Sequence, residues 1–219
     1  FITVVVFAYA SANRSVLAGF LSMTGMMVVV FALKSASKPK VLASLAGLSI
    51  VVVGAVAWLQ IIRGKLFEAA PNQDWLIPIW LLDFQRQVIW KHAIEFAMAS
   101  PWIGIGVNTI NLVPGADMVI NGTNNLHVIP AHPHNWAIEI FAETGAIGLS
   151  VLLITLITLT YQTLLVARRT GNLGHIMAIA VMAGYWVSGL FNFSYWSAWW
   201  QLSFLISLTF CYASNTKTD

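Results

Sequence analysis

The sequence contains two long apolar runs without a charged residue, residues 41–62 and residues 145–166. A helix that crosses the hydrocarbon core of a bilayer needs roughly 20 apolar residues, so each run is long enough to span a membrane. The whole chain has the same character, because charged residues make up 9% of it and its mean hydropathy is +0.78. Soluble domains carry about a quarter charged residues. The composition therefore indicates a membrane protein surrounded by lipid bilayer.

Three further apolar runs predict spans, at residues 16–33, 176–191 and 196–212. Residues 1–11 are apolar and lack a charged start, which indicates the end of a truncated span rather than a signal peptide; we expect further spans before them. The predicted fold is all-α, a polytopic transmembrane helix bundle of about five complete spans plus the truncated one. Its parts are spans in residues 1–62, a long loop in 63–135 with an amphipathic helix near 82–100, spans in 136–213 and a tail in 214–219.

Basic residues predict the orientation, because Lys and Arg accumulate in cytoplasmic connections. Two short connections are basic and lack acidic residues, and alternating the spans places both on one side: Lys34, Lys38 and Lys40 in one, Arg168 and Arg169 in the other. That side should be cytoplasmic. The periplasmic side then receives the turn at Arg14, the 63–135 loop and the turn at Asn192, although Arg63 and Lys65 oppose this orientation. Topology thus accounts for the formal charge of +3, and no nucleic-acid partner is expected.

The 63–135 loop is far longer than an ordinary connection, and loops of this length are usually functional. The tryptophans of its first half, Trp75, Trp80 and Trp90, suit the headgroup level of a bilayer. At helical spacing, residues 82–100 form an apolar face and a polar face, and Pro101 ends the helix. The apolar face comprises Leu82, Ile89, Trp90, Ala93, Phe96 and Ala97; the polar face comprises Gln87, Lys91, His92 and Glu95.

Arg86 falls in the middle of the apolar face of this helix. A guanidinium on a buried side needs an anionic or carbonyl partner, and ionisable groups inside membranes are usually functional. The alternative is a structural role, in which Arg86 snorkels to water or pairs with a carboxylate such as Asp83. Beyond the helix, Gly104 and Gly106 permit a tight backbone, but a lone G-x-G is weak evidence of phosphate binding.

Three histidines, His127, His132 and His134, lie within eight residues just before an apolar run. The cluster could bind zinc, although it lacks a helical H-x-x-x-H and a nearby acidic ligand, or it could be a solvated polar collar. A third interpretation is catalytic. Asn135 is placed to cap a helix that starts at Trp136, so His134 would precede a helix N-terminus. That positive end attracts anions and disfavours an imidazolium, which leaves His134 able to accept a proton.

Glu139 and Glu143 lie four residues apart in the same helix, on one face. At 100° per residue, neither faces the same way as His134. We expect structural roles for them, pairing with basic side chains or capping neighbours, rather than a carboxylate pair for glycoside chemistry.

The run from His132 to Leu149, HPHNWAIEIFAETGAIGL, resembles the signature of the O-antigen ligase/polymerase superfamily, a His-Asn pair followed by a Glu-x-Gly-x-x-Gly turn into a span. Ser11-Ala12-Asn13-Arg14-Ser15 resembles the Ser-Arg turn of that family, although two residues separate Ser11 from Arg14. The series Arg86, Trp90, Pro101, Gly104 and Gly106 resembles its Arg-x-x-x-Trp stretch followed by Pro-x-x-Gly-x-Gly. The order of these pieces and their common side are more specific than any one of them.

The resemblance implies a metal-independent, inverting glycosyltransferase of the GT-C type in the bacterial inner membrane, without a cofactor. Its donor would be an undecaprenyl-diphosphate-linked glycan, and its acceptor the lipid A core or another glycan, at the periplasmic face. By the same resemblance, His134 would be the general base, and Arg86 and Arg14 would hold the diphosphate and stabilise its charge; His132, Asn135 and Trp90 would support them. A planar guanidinium suits phosphate, which agrees with the arginine roles.

Ligase and polymerase share these motifs, so both remain open. A solute transporter is the alternative function, since intramembrane arginines can line a solute path. The polar groups here cluster at one face rather than at the midplane, where transporter sites lie. A third possibility is an inactive structural member of an envelope-assembly complex, which the presence of His134, Arg86 and Arg14 argues against.

Overall fold

The computed structural model describes residues 14–34, 84–120, 125 and 127–213. Within these residues the fold is helical, with one isolated antiparallel bridge between Val119 and His127. The helices are α1 (Arg14–Lys34), α2 (Phe84–Met98), α3 (Trp136–Thr170), α4 (Leu173–Ser188) and α5 (Ala198–Ala213), with a short 3-10 helix at Ile110–Leu112. The expected span at 41–62, the remnant at 1–11, the tail at 214–219 and residues 63–83 with Trp75, Trp80 and Asp83 lie outside the described residues.

The described helices confirm the all-α class and match the predicted ones to within a few residues. Of the described residues, α3 alone is both long and apolar enough to cross a bilayer, and 22% of its most apolar window is buried. So little burial is unlike the core helix of a soluble protein. Ser15–Val30 of α1 and the whole of α4 are apolar but shorter. The bundle of about five spans therefore stays a prediction.

The described residues divide into two compact units. The helical unit comprises those within residues 1–49 and 151–219, and the loop unit those within residues 50–150. In the helical unit, α1 packs along α4 and α4 packs against α5.

Small residues bring α1 and α4 together. A Cβ atom on Gly19 would lie 2.9 Å from the carbonyl oxygen of Gly184, and one on Gly184 would lie 3.1 Å from that of Gly19. Ser22 Oγ donates to the Ala183 carbonyl across the same contact, at 3.2 Å. Close backbone approach through small residues is the common way for helices to associate where lipid removes the hydrophobic drive between them.

The loop unit has its own apolar core, built on α2. Ile89, Ala93 and Ala97 of α2 are buried, and Trp90 and Phe96 pack against the same core. Ala142 of α3 and residues of the 110–129 segment complete it. On the polar face, Lys91 and Glu95 are exposed and 4.0 Å apart. Most of the predicted apolar face is thus confirmed, with Leu82 outside the described residues, whereas Gln87 of the predicted polar face is buried.

Helix α3 is broken at Gly145, whose φ of 68° and ψ of −173° are not helical. The backbone of residues 101–106 fills this break. Ala142 and Glu143 carbonyls accept from the N–H groups of Ile105 and Gly106, at 2.9 and 3.1 Å, on one side of the break. On the other side, the N–H groups of Ala146 and Ile147 donate to the Pro101 and Trp102 carbonyls, at 2.8 and 3.2 Å. Groups left unsatisfied by the broken helix therefore find partners in the loop.

Two glycines permit this insertion. A Cβ atom on Gly104, where φ is 75°, would meet the Glu143 carbonyl group at 2.2 Å, and one on Gly145 would meet the Trp102 carbonyl carbon at 2.2 Å. Both positions combine a left-handed backbone with contact between two main chains, which only glycine satisfies. Gly104, part of the G-x-G that is weak evidence of phosphate binding in the sequence, thus allows the loop to contact the helix.

We expect Gly104→Ala and Gly145→Ala each to lower the stability of the protein by about 2 kcal/mol or more, through left-handed strain and separation of the two backbones. Thermal unfolding of the purified protein in detergent measures this loss. Gly115→Ala is the matched control, because φ there is also left-handed, at 91°, but the new Cβ would meet only the terminal methyl group of Met118, at 3.2 Å. Equal losses in all three variants would contradict the insertion.

Candidate active site

Helix α3 begins directly after the His-Pro-His-Asn sequence, and Asn135 caps it. Asn135 is buried, and its Oδ1 accepts from the backbone N–H groups of Ala137 and Ile138, at 3.0 and 3.1 Å. This is the bonding pattern of an N-cap residue, which satisfies amides that the first helical turn leaves free. The predicted cap and helix start are both confirmed.

His134 precedes the cap in a constrained conformation. Its φ is 57°, a left-handed value that costs a non-glycine residue about 1–3 kcal/mol and that persists only when the surroundings fix it. Its backbone N–H donates to His132 Nδ1 at 3.1 Å, and the two imidazole rings meet edge to face with centroids 4.3 Å apart. The His134 side chain stays half-buried, so it is held in place yet accessible.

His132 is neutral near pH 7. Burial, together with a smaller contribution from the nearby His134, lowers the pKa of His132 from 6.5 to about 4. The hydrogen bond agrees, because a backbone N–H can only donate, so His132 Nδ1 must be unprotonated. As the pH falls through about 4, His132 becomes protonated at this nitrogen and the acceptor for the His134 N–H is lost.

Trp90 of α2 also holds the histidine turn in place. Its indole Nε1–H donates to the carbonyl of Pro133 at 2.9 Å, and Pro133 itself is buried. Helix α2 is thereby tied to the peptide between the two histidines. That Trp90 lies at the headgroup level stays a prediction.

Arg86 lies one turn before Trp90 on α2, and residues four apart share one helix face with about 5–6 Å between their Cβ atoms. The Nη1 nitrogen of Arg86 is buried, as expected for a guanidinium on the apolar face. Arg86 therefore lies on the same face of α2 as the indole that bonds to Pro133. Arg14 is described only as the first residue of α1, in the helical unit, so its contact with the same substrate stays a prediction.

Glu143 has the structural role that the sequence indicated. It is almost fully buried, and its two carboxylate oxygens accept from the N–H groups of Asn108 and Ile110, at 2.6 and 3.0 Å. It thus caps the turn that leads into the 3-10 helix. Glu139 is buried in the same segment of α3.

His127 is engaged apart from the other two histidines. Its Nδ1 lies 2.7 Å from the carbonyl oxygen of Asp117, to which it must donate, and its side chain is exposed. The adjacent residues 128 and 129 bond to the backbone of residues 118 and 116. Among the described residues, no group of three or more His, Cys, Asp and Glu side chains is placed to hold a metal ion.

The site is therefore a half-buried histidine beside the amino end of α3, clamped by three contacts to its neighbours. Its own N–H bonds to His132, the preceding carbonyl bonds to Trp90, and the following residue caps the helix. Free N–H groups and the helix dipole favour an anion at such an end. These residues stand out in the sequence, but the hydrogen bonds of Trp90 and His132 do not, because the spacing of residues cannot show which atoms bond.

The chain is similar to known proteins of one family. A family model described as O-antigen ligase matches residues 1–153, which include α1, α2, the histidine turn and the break in α3. A relative from Rickettsia bellii, named "Putative polysaccharide ligase", is 27% identical over 124 residues, covering 54% of this chain and 29% of that protein. Relatives of the same description from Rickettsia conorii and Rickettsia typhi are each 26% identical, over 52% and 54% of this chain and 28% and 29% of theirs.

The chain thus spans less than a third of the length of the curated relatives that it matches. No solved structure matches it significantly. Because the family match covers well over half of the sequence and includes the whole candidate site, the chain belongs to the O-antigen ligase family, whose members are membrane proteins.

Proposed function

We propose that this protein transfers a glycan from an undecaprenyl-diphosphate carrier to a hydroxyl group of an acceptor, as a polysaccharide ligase at the periplasmic face of the bacterial inner membrane. The observation that carries the proposal is the clamped, left-handed His134 at the amino end of α3. Backbone strain of this kind concentrates at functional sites, where the surroundings hold a side chain in one geometry. The names of the relatives favour ligase over polymerase.

In the proposed reaction, His134 accepts the proton of the acceptor hydroxyl as its oxygen forms a bond to the anomeric carbon of the donor. The bond between that carbon and the diphosphate oxygen breaks, and the diphosphate leaves with the electron pair. Attack opposite the leaving group inverts the anomeric centre. A positioned general base typically contributes 10²–10⁴-fold to such a step.

The leaving diphosphate gains negative charge, which Arg86 and Arg14 are proposed to neutralise in place of a metal ion. Arginine suits this task because its planar fork donates two parallel hydrogen bonds to phosphate and stays charged. The amino end of α3 adds partial positive charge to the same region. The lipid A core of lipopolysaccharide or another glycan would supply the acceptor hydroxyl.

The first prediction concerns the base. In nanodiscs supplied with an undecaprenyl-diphosphate glycan and an acceptor, we expect full-length protein with His134→Ala to transfer glycan about 10²–10⁴-fold more slowly than wild type. His127→Ala, which removes an exposed histidine engaged with Asp117, should keep the wild-type rate. Arg86→Ala should lower kcat as well as raise the donor KM, because Arg86 is proposed to stabilise the charge that the leaving diphosphate gains. Wild-type transfer by the His134 and Arg86 variants would contradict the site.

The second prediction separates a positioning role of His132 from a catalytic one. Asparagine can present an acceptor oxygen where His132 presents Nδ1, since an Asx side chain commonly bonds the N–H two residues on. His132→Asn should therefore keep kcat within about threefold of wild type, whereas His132→Leu should lower it about tenfold, a change of 1.4 kcal/mol. If His132 is itself the base, His132→Asn should lose as much activity as His134→Ala.

The third prediction tests the tie between α2 and the histidine turn. Trp90→Phe keeps an aromatic ring but removes the donor to the Pro133 carbonyl. We expect kcat to fall about tenfold with little change in the melting temperature, because small displacements of a catalytic group slow the reaction strongly. Phe96→Leu, in the same core, is the control for altered packing. Equal activities in the two variants would exclude a positioning role for the indole N–H.

A further inference from the structure

Exposed large apolar side chains cluster where the 101–106 loop enters the break in α3. Trp102 and Ile103 are 70% and 73% exposed, and Met98 and Val107 on either side are also exposed. Water-facing loops seldom expose adjacent residues of this kind, and contiguous apolar patches mark contact with a partner or a membrane.

The height of this patch along α3 is fixed by the backbone. The Trp102 carbonyl accepts the N–H of Ile147 at 3.2 Å, and the Pro101 carbonyl accepts that of Ala146 at 2.8 Å. Trp102 therefore lies beside the first turn of the segment that follows Gly145. Its neighbour in the helix, Ile147, is itself 56% exposed.

An apolar stripe continues from this point along α3. Ile147, Val151 and Ile154 follow one another at spacings of four and three residues, and all three are exposed. In a helix apolar enough to cross a bilayer, such a stripe faces lipid. Trp102 and Ile103 stand at the end of it.

The length of α3 places the Trp102 end of this stripe at the surface of the hydrocarbon core. A core of about 30 Å corresponds to about 20 helical residues at 1.5 Å each. Arg168 and Arg169 in the last turn of α3 mark one boundary, since charged side chains leave the core. About 20 residues before Arg168, the helix reaches Gly148. Gly148 directly follows Ala146 and Ile147, whose N–H groups bond to the Pro101 and Trp102 carbonyls.

We propose that Trp102 and Ile103 form a wedge that inserts into the headgroup boundary of the bilayer, opposite the Arg168 end of α3. The partner is lipid, because α3 is apolar enough to cross a bilayer and its length puts Trp102 and Ile103 at the boundary of that bilayer, where indole rings are favoured. The wedge goes beyond glycan transfer: it fixes the depth at which the break in α3, and with it the loop unit, meets the membrane.

A spin-label experiment on the full-length protein in nanodiscs tests this. Cys211 is the one cysteine of the chain. Ile103→Cys is therefore combined with Cys211→Ala, and any cysteine in the rest of the full-length protein is also replaced. The nitroxide at 103 should be more accessible to apolar oxygen than to a water-soluble nickel chelate. The side chain of Lys91, also 70% exposed, gives the aqueous reference as Lys91→Cys, and Ile154, at 63% exposure, gives the lipid reference as Ile154→Cys.

We expect the oxygen-to-nickel accessibility ratio at position 103 to lie close to that at 154 and at least tenfold above that at 91. A ratio like that at 91 would mean that the loop faces water, and the proposal would be wrong. Low accessibility to both reagents would mean that protein covers the patch, which would overturn it equally. Because the measurement does not involve glycan transfer, its result is independent of the proposed enzymatic activity.

Discussion

The insertion of residues 101–106 into the break of α3 at Gly145 is the constraint on which the loop unit depends. A break in a helix leaves N–H and C=O groups without their helical partners, and each costs about 1–3 kcal/mol if it is buried unsatisfied. Here the loop supplies bonds on both sides of the break. The break therefore becomes a joint that fixes a loop of more than thirty described residues to a spanning helix. Only glycine at 104 and 145 permits such close contact of the two backbones.

The candidate site is built outward from that joint. Glu143, two residues before the break at Gly145, holds the turn at residues 108–110, and Ala142 belongs to the core that α2 shares. Trp90 of α2 then reaches back to Pro133, just before the start of α3. The histidine turn is thus held from both ends of the short helical segment 136–144. A rigid support of this kind is what a catalytic base needs, because reaction rates depend steeply on the placement of reacting atoms.

Much of this arrangement could be predicted from local patterns. The apolar face of α2, the Asn135 cap and the helical start at Trp136 follow from periodicity and capping chemistry, which involve residues a few positions apart. The structural role of Glu143 followed because its direction on α3 differs from that of His134. The burial of Gln87 could not be predicted in this way, because it depends on segments that fold over the flank of α2.

The sequence by itself determined the class of the protein and the place of its helices, because hydrophobic composition and period act within one segment. It also singled out the side chains that we propose to carry the chemistry, since Arg86 and His134 stand out by type and position. Tertiary structure alone decided that His132 serves His134 as a hydrogen-bond acceptor while His127 bonds elsewhere. It alone paired Gly104 with Glu143 and Gly145 with Trp102. The two glycine contacts join residues about forty positions apart through backbone atoms. Because every residue has these atoms, no pattern of side chains encodes the contacts.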